Sequence, residues 1–307
     1  MPLHASVLKY FDMVVRLGSI RQAADRLNVA SSAINRQIIK LEKYLGTPLF
    51  ERLPRGMRLT PAGEVLIGHV RNTLRDFDAV LAEIEDFKGS RKGIVAVAAV
   101  EGVAADFLPK IISDFHKDYP GISFTITILE SDKVLSMLQA NGADIGLMFN
   151  PPARSGVKLE ASVSLKIGAI MAPTHPLAKR KAIRLAECQG YPLILPDITH
   201  PNRYWLNSIL NDPSRDVHPA ASSNSFQLMR ALAKDGLGIA FQTTVGIEEE
   251  IRTKKLTYIP LSDRSLKPSV LTVLSRAKYG LSAPASMFLK TLQDKVSKTW
   301  SKEFNRS

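Results

Sequence analysis

The sequence predicts a multidomain α and α/β protein, in which a small helical head, a long helix and a two-lobed α/β region follow one another. Three observations support this order. Residues 4–45 contain three short stretches of apolar residues at helical spacing, residues 61–87 form one longer helical stretch, and segments typical of strands and helices alternate after residue 91. The chain of 307 residues is long enough for two or more domains.

Positive charge is concentrated near the start of the chain. The chain has 41 Lys and Arg against 29 Asp and Glu, a formal net charge of +12, which favours polyanions or acidic ligands as partners. Residues 1–60 carry ten basic and four acidic side chains, whereas residues 61–89 carry three basic and six acidic ones. We therefore expect any polyanion to contact the first 60 residues.

The cellular compartment is indicated by the cysteine content and the start of the chain. The single cysteine, Cys188, excludes an internal disulfide and a metal site built from several cysteines. The first residues lack the basic start and clean apolar run of a signal peptide. The longest apolar stretch, residues 93–108, is shorter than the roughly 20 residues of a membrane-spanning helix. These features favour a cytoplasmic protein that does not contact a membrane.

The head begins with two helices. Apolar residues at helical spacing predict the first helix over residues 4–17, and Gly18 ends it. Ser19 opens a Ser-x-x-Gln capping box, which satisfies backbone donors at the start of a second helix from about residue 20 to residue 27. The next four residues are too few for anything except a tight turn.

The third helix is predicted from about residue 32 to residue 45, and it leaves a polar face outward. Its expected inward residues are Ile34, Ile38, Leu41 and Leu45. Its expected outward or flanking polar residues are Ser31, Ser32, Asn35, Arg36, Gln37 and Lys40. Such side chains hydrogen-bond to base edges and phosphates in the DNA major groove. The alternative is a solvated face of a helical bundle.

A hairpin follows the third helix. Pro54 and Gly56 lie at a turn between two short extended segments, and three arginines stand on or beside it, namely Arg52, Arg55 and Arg58. Three helices and a hairpin in this order form a winged helix-turn-helix, whose third helix enters the major groove while the wing meets phosphates or a minor groove. We therefore predict a DNA-binding domain at residues 1–60.

A long helix connects the head to the rest of the chain. Thr60 and Pro61 are typical of a helix start, and apolar residues then recur at spacings of three and four, namely Val70, Leu74, Phe77, Leu81 and Ile84. This pattern favours a short coiled coil between two copies of the chain, and the alternative is a helix packed on its own domain. The polar segment 88–93 predicts a domain boundary, so that residues 61–90 form a linker and dimerisation helix.

Strand and helix patterns alternate through residues 91–307, as in a parallel sheet covered by helices. Ligands of such sheets bind beyond the carboxyl ends of strands, where helix N-termini offer free N–H groups. The segments "AVEGVAA", "LESDK", "PDITHP" and "SSNSF" lie in this position, and they contain the candidate ligand-binding residues Glu101, Gly102, Val103, Ser131, Asp197, Thr199, Asn224 and Ser225. For Glu101 the sequence favours an exposed surface position over a pocket position, and Ser131 can equally be a plain helix cap.

Three other classes of protein explain the sequence less completely. An enzyme is disfavoured because the six histidines are scattered without metal-ligand spacing and no catalytic motif is present. A solute-binding protein explains the α/β region but leaves the basic head unexplained. A DNA-binding protein without an effector explains the head alone.

The head and the α/β region together resemble the LysR-type transcriptional regulators. The matching head segment is "LKYFDMVVRLGSIRQAADRLNVASSAINRQIIKLEKYLGTPLFERLPRGMRLTPAGEVL". The matching later segments are "FLPKIISDFHKDYPGISFTITILES", "GADIGLMF" and "SSNSFQLMRALAKDGLGIAF". The head departs from the family pattern at Ala30, Ser31, Ser32 and Asn35, which concerns the DNA sequence that is read and leaves the fold unaffected.

The resemblance implies a periplasmic-binding-protein-like effector domain at residues 91–307, with lobe 1 at about 91–162 and 268–300 and lobe 2 at about 163–267. It implies a small-molecule effector between the lobes and no other cofactor. Its implied partners are double-stranded operator DNA, further copies of the chain in a homodimer or homotetramer, and RNA polymerase. The family commonly has Ser or Thr at two positions that hold an effector carboxylate, here occupied by Gly102 and Ser131. Glu101 would then favour a cationic or hydrogen-donating ligand.

Overall fold

The computed structural model describes residues 6–53, 56–87, 92–152, 156–197, 219–277 and 280–304. Two predicted site residues, Arg55 and Thr199, lie outside this range. The same holds for most of the predicted boundary at 88–93.

The head consists of three helices and a two-stranded hairpin. Their bounds are α1 Ser6–Leu17, α2 Ile20–Leu27, α3 Ser31–Leu45, β1 Phe50–Leu53 and β2 Gly56–Leu59. The head core contains Phe11 and Val14 of α1, the alanines of α2, and Ile34 and Ile38 of α3, all nearly inaccessible to solvent. The small side chains of Ala23 and Ala24 allow α1, α2 and α3 to pack closely.

The local signals of the head place its helix ends correctly, but one predicted inward residue is exposed. Ser19 precedes α2, and its hydroxyl accepts a hydrogen bond from the Gln22 N–H at 3.4 Å. Gly46 ends α3 with a left-handed backbone. Leu45, which was predicted to face inward, is 42% exposed, because it lies in the last turn of α3, beyond the part that packs on the head core.

The hairpin is held against the start of α2. Strands β1 and β2 are antiparallel and pair Phe50 with Leu59. Gly56 has a φ of +130°, and a Cβ at this position would lie 2.7 Å from the Gly18 carbonyl oxygen. The Met57 N–H donates to that same oxygen at 2.8 Å, so the close approach of two glycines fixes the wing beside the helices.

The long helix α4 spans Pro61–Phe87. Its first half packs on the head, where Val70 is fully buried and the Arg71 guanidinium forms an ion pair with the buried Asp12 at 3.0 Å. Further along, Leu81 and Ile84 are 42% and 46% exposed. The helix therefore supports its own domain at one end and leaves apolar side chains uncovered at the other.

The rest of the chain forms two sheets with helices around them. The elements of lobe 1 are β3 Gly93–Ala99, α5 Glu101–Ala105, α6 Phe107–Asp118, β4 Ile122–Ile128, α7 Ser131–Gln139, β5 Ile145–Phe149, β6 Val157–Leu165, β12 Ser269–Arg276 and α11 Ala283–Phe304. Those of lobe 2 are β7 Gly168–Met171, α8 Leu185–Cys188, β8 Ile194–Pro196, β9 Ala221–Ser223, α9 Phe226–Lys234, β10 Ala240–Gln242, α10 Glu248–Arg252 and β11 Thr257–Pro260.

Strand order defines the two lobes. Among the described residues, lobe 1 contains a five-stranded sheet in the order β4-β3-β5-β12-β6, and lobe 2 contains a three-stranded sheet in the order β10-β7-β11 together with the pair β8-β9. The chain passes from lobe 1 to lobe 2 after Leu165, a few residues later than the sequence predicted. The reason is that β6 continues its pairing with β12 as far as Leu165, opposite Ser269.

Each lobe has its own apolar core. In lobe 1, α6 and α11 cover the sheet, and the fully buried Phe288 and Trp300 lie between them and the strands. In lobe 2, strand residues such as Met171 and Ile239 pack with α8 and its Cys188. The cores also touch where the lobes meet, because the buried Val245, which follows β10, packs with the core of lobe 1.

Candidate functional site

The exposed face of α3 carries the predicted polar residues. The five that the structure leaves exposed are Ser31, Ser32, Arg36, Gln37 and Lys40, and Asn35 is half-buried. The opposite face of α3 is fixed by the burial of Ile34 and Ile38. A rigid helix thus presents hydroxyl, amide, guanidinium and ammonium groups in one direction, which are the groups that contact bases and phosphates.

The wing contacts α3 through side chains. Arg52 Nη2 donates to Asn35 Oδ1 at 2.9 Å. Arg58 Nη2 donates to Glu51 Oε2 at 2.6 Å, and this bond raises the pKa of the Arg58 guanidinium. Arg52 therefore lies beside the helix that carries the polar face, and Arg58 is held on the wing by Glu51.

The second candidate site lies where the lobes meet. Glu101, at the start of α5 in lobe 1, reaches the start of α9 in lobe 2. Its Oε1 accepts the Ser225 hydroxyl at 2.9 Å, and its Oε2 accepts the Phe226 N–H at 3.0 Å. The structure thus brings together Glu101 and Ser225, two of the predicted effector-binding residues, and gives Glu101 a partner across the lobes.

A small cavity adjoins this contact. It encloses roughly 220 Å³, including space open to solvent, and its lining includes Glu101, Gly102, Phe226, Arg230 and Gln242. The sequence prediction did not include Phe226, Arg230 and Gln242. Phe226 and Arg230 are four residues apart at the start of a helix, a spacing that places them on one face, but nothing in the sequence shows that this face meets lobe 1.

Close packing between the lobes at Gly102 depends on Gly246. A Cβ on Gly246, which has a φ of +81°, would lie 2.2 Å from the Gly102 carbonyl oxygen. The Gly246 carbonyl in turn accepts a hydrogen bond from the Arg230 guanidinium. Gly246 thus allows backbone contact between the lobes, and a side chain there would clash with the Gly102 carbonyl, whereas a Cβ on Gly102 would lie at an ordinary 3.8 Å from the Val245 carbonyl oxygen.

The other predicted residues that the structure describes do not line this cavity. Val103 is fully buried in the core of lobe 1, because it faces the sheet from the short helix α5, so its side chain does not line the cavity. Ser131 is the first residue of α7, whose N-cap is Glu130, so Ser131 is not the cap itself. Asp197 and Asn224 follow the paired strands β8 and β9, and neither lines the cavity.

A second polar contact joins the lobes near α10. Asp106 Oδ2 accepts the Glu249 N–H at 3.2 Å, and Asp106 also forms an ion pair with Lys110 at 2.7 Å. Burial opposes ionisation of Asp106, but the bonds from Lys110 and Glu249 hold its pKa below the ordinary value. Burial, together with the negative charge of Asp106, raises the pKa of Glu248 to about 7.

Two further properties concern the described residues alone. No group of three or more His, Cys, Asp or Glu side chains is arranged there to hold a metal ion. None of the helices in this part of the chain is both long enough and apolar enough to cross a membrane.

Known families and known proteins match nearly the whole chain. Residues 6–64 match the family model "Bacterial regulatory helix-turn-helix protein, lysR family", and residues 88–297 match "LysR substrate binding domain". The HTH-type transcriptional regulator CbbR of Rhodospirillum rubrum is 25% identical over 278 residues, which cover 91% of this chain and 92% of the relative. The uncharacterized HTH-type transcriptional regulator YbhD of Escherichia coli is 28% identical and covers 76% of this chain and 74% of its own.

Solved structures show the same fold. Full-length OxyR from Pseudomonas aeruginosa has a TM-score of 0.72 at 18% identity, covering 97% of this chain and 95% of its own. Full-length CbnR, solved in complex with its target DNA, has a TM-score of 0.62 at 20% identity, covering 94% of this chain and 98% of its own.

Proposed function

The chain belongs to the LysR family of transcriptional regulators and is not an enzyme, and from this we propose that it binds specific operator DNA through α3 and the wing under the control of a small molecule bound between the lobes. The observation that carries the proposal is the polar face of α3, held outward by the burial of Ile34 and Ile38 on its opposite side.

The DNA-binding part of the proposal assigns two kinds of contact. We propose base contacts for Asn35, Arg36 and Gln37, and phosphate contacts for Lys40 and the wing arginines, of which Arg52 and Arg58 are described. A base-reading arginine holds guanine through two parallel hydrogen bonds, whereas a phosphate contact carries no sequence information. Substitutions of the two groups should therefore have different consequences.

The test compares operator and random DNA across salt concentrations. Arg36→Ala should weaken operator binding by roughly 1 to 3 kcal/mol and reduce the preference for operator over random duplex. Lys40→Ala should weaken both about equally and lower the salt dependence by about one phosphate contact. Lys117→Ala, which removes an exposed cation from lobe 1, is the control. Equal affinity of the native protein for operator and random duplex would reject the proposal.

We propose that the effector lies between the lobes near Glu101, Gly102, Ser131 and Ser225. A thermal-shift screen of small metabolites, acids and amines together identifies it as the compound that raises the melting temperature. Ser131→Ala should reduce that rise, while Ser136→Ala on the same helix, whose hydroxyl donates to the Asp132 carbonyl, should not. An undiminished rise in Ser131→Ala removes Ser131 from the site.

We further propose that two copies of the chain pair through α4, placing two heads on a pseudo-palindromic operator. The exposed Val80, Leu81 and Ile84 on the second half of α4 support this pairing. Pairs of dimers would then form the tetramer, in the cytoplasm and with RNA polymerase as a further partner. An effector shifts this assembly only by as much as it prefers one lobe arrangement over the other.

The proposed domains are residues 1–60 for DNA binding, 61–90 for the linker helix and 91–307 for effector binding. Within the effector-binding domain, the pairing of β6 with β12 supports extending lobe 1 to Leu165, and lobe 2 then runs from there to about residue 267.

A further inference from the structure

The contact between Glu101 and α9 has the geometry of a bound carboxylate. Ser225 is the N-cap of α9 (Phe226–Lys234), and its hydroxyl oxygen accepts the Leu228 N–H at 3.2 Å while its proton is donated to Glu101. The Phe226 N–H is donated to the other oxygen of Glu101. Both carboxylate oxygens are therefore occupied by donors of the opposite lobe.

The donors at this position favour negative charge. The first N–H groups of a helix have no partner within the helix, and the aligned peptide dipoles place partial positive charge there. Hydrogen bonds from such groups to a carboxylate are shorter and stronger than those between neutral groups. A hydroxyl and a backbone N–H at the start of a nine-residue helix thus form an anion position, and in this chain the anion is part of the protein.

The route by which Glu101 reaches α9 is short and fixed. Glu101 follows β3 directly at the start of α5, and the adjoining Gly102 lies against Gly246 of lobe 2 with no room for a Cβ at the latter. The lobes are therefore as close here as their backbones allow. The Glu101 side chain therefore does not have to span an open cleft to reach α9.

We propose that Glu101 is a specificity-determining residue, an internal carboxylate that occupies the anion position at Ser225 and Phe226 and so excludes small carboxylates from that position. The inference rests on the proposed function, since it concerns the same interlobe site. It predicts that the native protein does not bind small carboxylates there and that removal of the Glu101 side chain creates a position that does. It also predicts that the lobes are joined in the absence of any ligand.

The second cross-lobe contact makes the prediction testable in the intact chain. Asp106 of lobe 1 accepts the Glu249 N–H at the start of α10, independently of Glu101. We expect this contact to remain when Glu101 is replaced and to keep the donors of Ser225 and Phe226 near lobe 1. An external carboxylate can then enter the space left by the missing side chain.

The experiment is a rescue by formate or acetate, with chloride at matched ionic strength as the reference. Glu101→Ala should melt below the native protein, and formate or acetate should raise its melting temperature without affecting the native protein. Adding Ser225→Ala to Glu101→Ala should abolish the rescue. The matched control is Glu130→Ala, which removes an exposed acid at the N-cap of another lobe 1 helix, where it forms an ion pair with Lys133. The proposal is overturned if formate and acetate do not raise the melting temperature of Glu101→Ala, or if they raise the melting temperatures of the native protein and Glu101→Ala equally.

A second measurement applies if Glu101→Ala does not fold. Glu101→Gln keeps the shape of the side chain but removes its charge, so hydrogen exchange at the Phe226 amide should become roughly tenfold faster. An unchanged exchange rate contradicts the proposal. Both readouts concern the protein without DNA, so their failure leaves operator binding untouched, whereas loss of operator selectivity would reject the proposed function without altering the rescue.

Discussion

Glu248 is expected to make the stability of lobe 2 and its contact with lobe 1 depend on pH near neutrality. Its Oε2 accepts the Gly246 N–H at 3.0 Å, and its Oε1 is buried with no hydrogen-bond partner among the described residues. Burial and the charge of Asp106 raise its pKa from an ordinary value of 4.5 to about 7. When protonated, the carboxyl can donate its proton to Asp106, which keeps its charge through Lys110 and the Glu249 N–H.

The sign follows from the proton count. Between pH 4.5 and 7 the unfolded chain releases the Glu248 proton while the folded chain retains it, so the free energy of unfolding falls as the pH rises. The contribution is complete below pH 4.5 and lost above pH 7. A change in pKa from 4.5 to about 7 corresponds to at most about 3 kcal/mol, and sharing of the proton with Asp106 reduces it, so we expect about 1 to 3 kcal/mol.

Glu248→Gln isolates this contribution, because the neutral carboxamide imitates the protonated carboxyl. The variant should match the native protein near pH 4.5 and exceed its stability by about 1 to 3 kcal/mol at pH 8. Urea unfolding across this range, followed by circular dichroism, measures the difference. The control is Glu249→Gln on the same helix. The Glu249 carboxylate is exposed, pairs with Arg252 and has a lowered pKa, so this variant should not gain stability over the native protein as the pH rises. Parallel profiles for Glu248→Gln and the native protein would refute the reasoning.

Two further predictions concern the head and lobe 2. Asp12→Asn should destabilise the head by about 1 to 3 kcal/mol, because the buried Asp12 carboxylate holds Arg71 of α4. Thermal unfolding measures this loss, and the control is Glu51→Gln, whose exposed pair with Arg58 should change stability by less than about 0.5 kcal/mol. An equal loss of stability in both variants would contradict the prediction. Cys188 is fully buried, and burial raises the pKa of its thiol to about 12, so iodoacetamide at pH 8 should label it only after unfolding in urea, and rapid labelling of the native protein would contradict its placement.

The head could be predicted from local signals. Helix periodicity, the cap at Ser19 and the glycines that end α1 and α3 each act over a few residues, so the sequence itself displays them. Strands β6 and β11 were not predicted. Strand β6 alternates apolar and polar residues directly after the Pro- and Gly-containing segment 150–156, so local signals for it were present in the sequence. Strand β11 is only four residues long and is stabilised by pairing with β7, which is far away in the chain.

The effector side could be predicted only in outline. Because helix N-termini follow strands in α/β sheets, the sequence identified the segments around Glu101 and Ser225. It left Glu101 open between a pocket and a surface position, and it selected Val103, which faces the core. Arg230 and Gln242 were not selected, since their approach to lobe 1 depends on how two separately folded sheets meet.

The sequence by itself determined the DNA-reading head, the long helix and the alternating lobes, because each of these is encoded by the spacing of neighbouring residues. The tertiary structure decided what Glu101 does. Its partner Ser225 is 124 residues away, and the contact exists because Gly246 lets the two lobes approach until a carboxylate of one meets the first N–H group of a helix in the other.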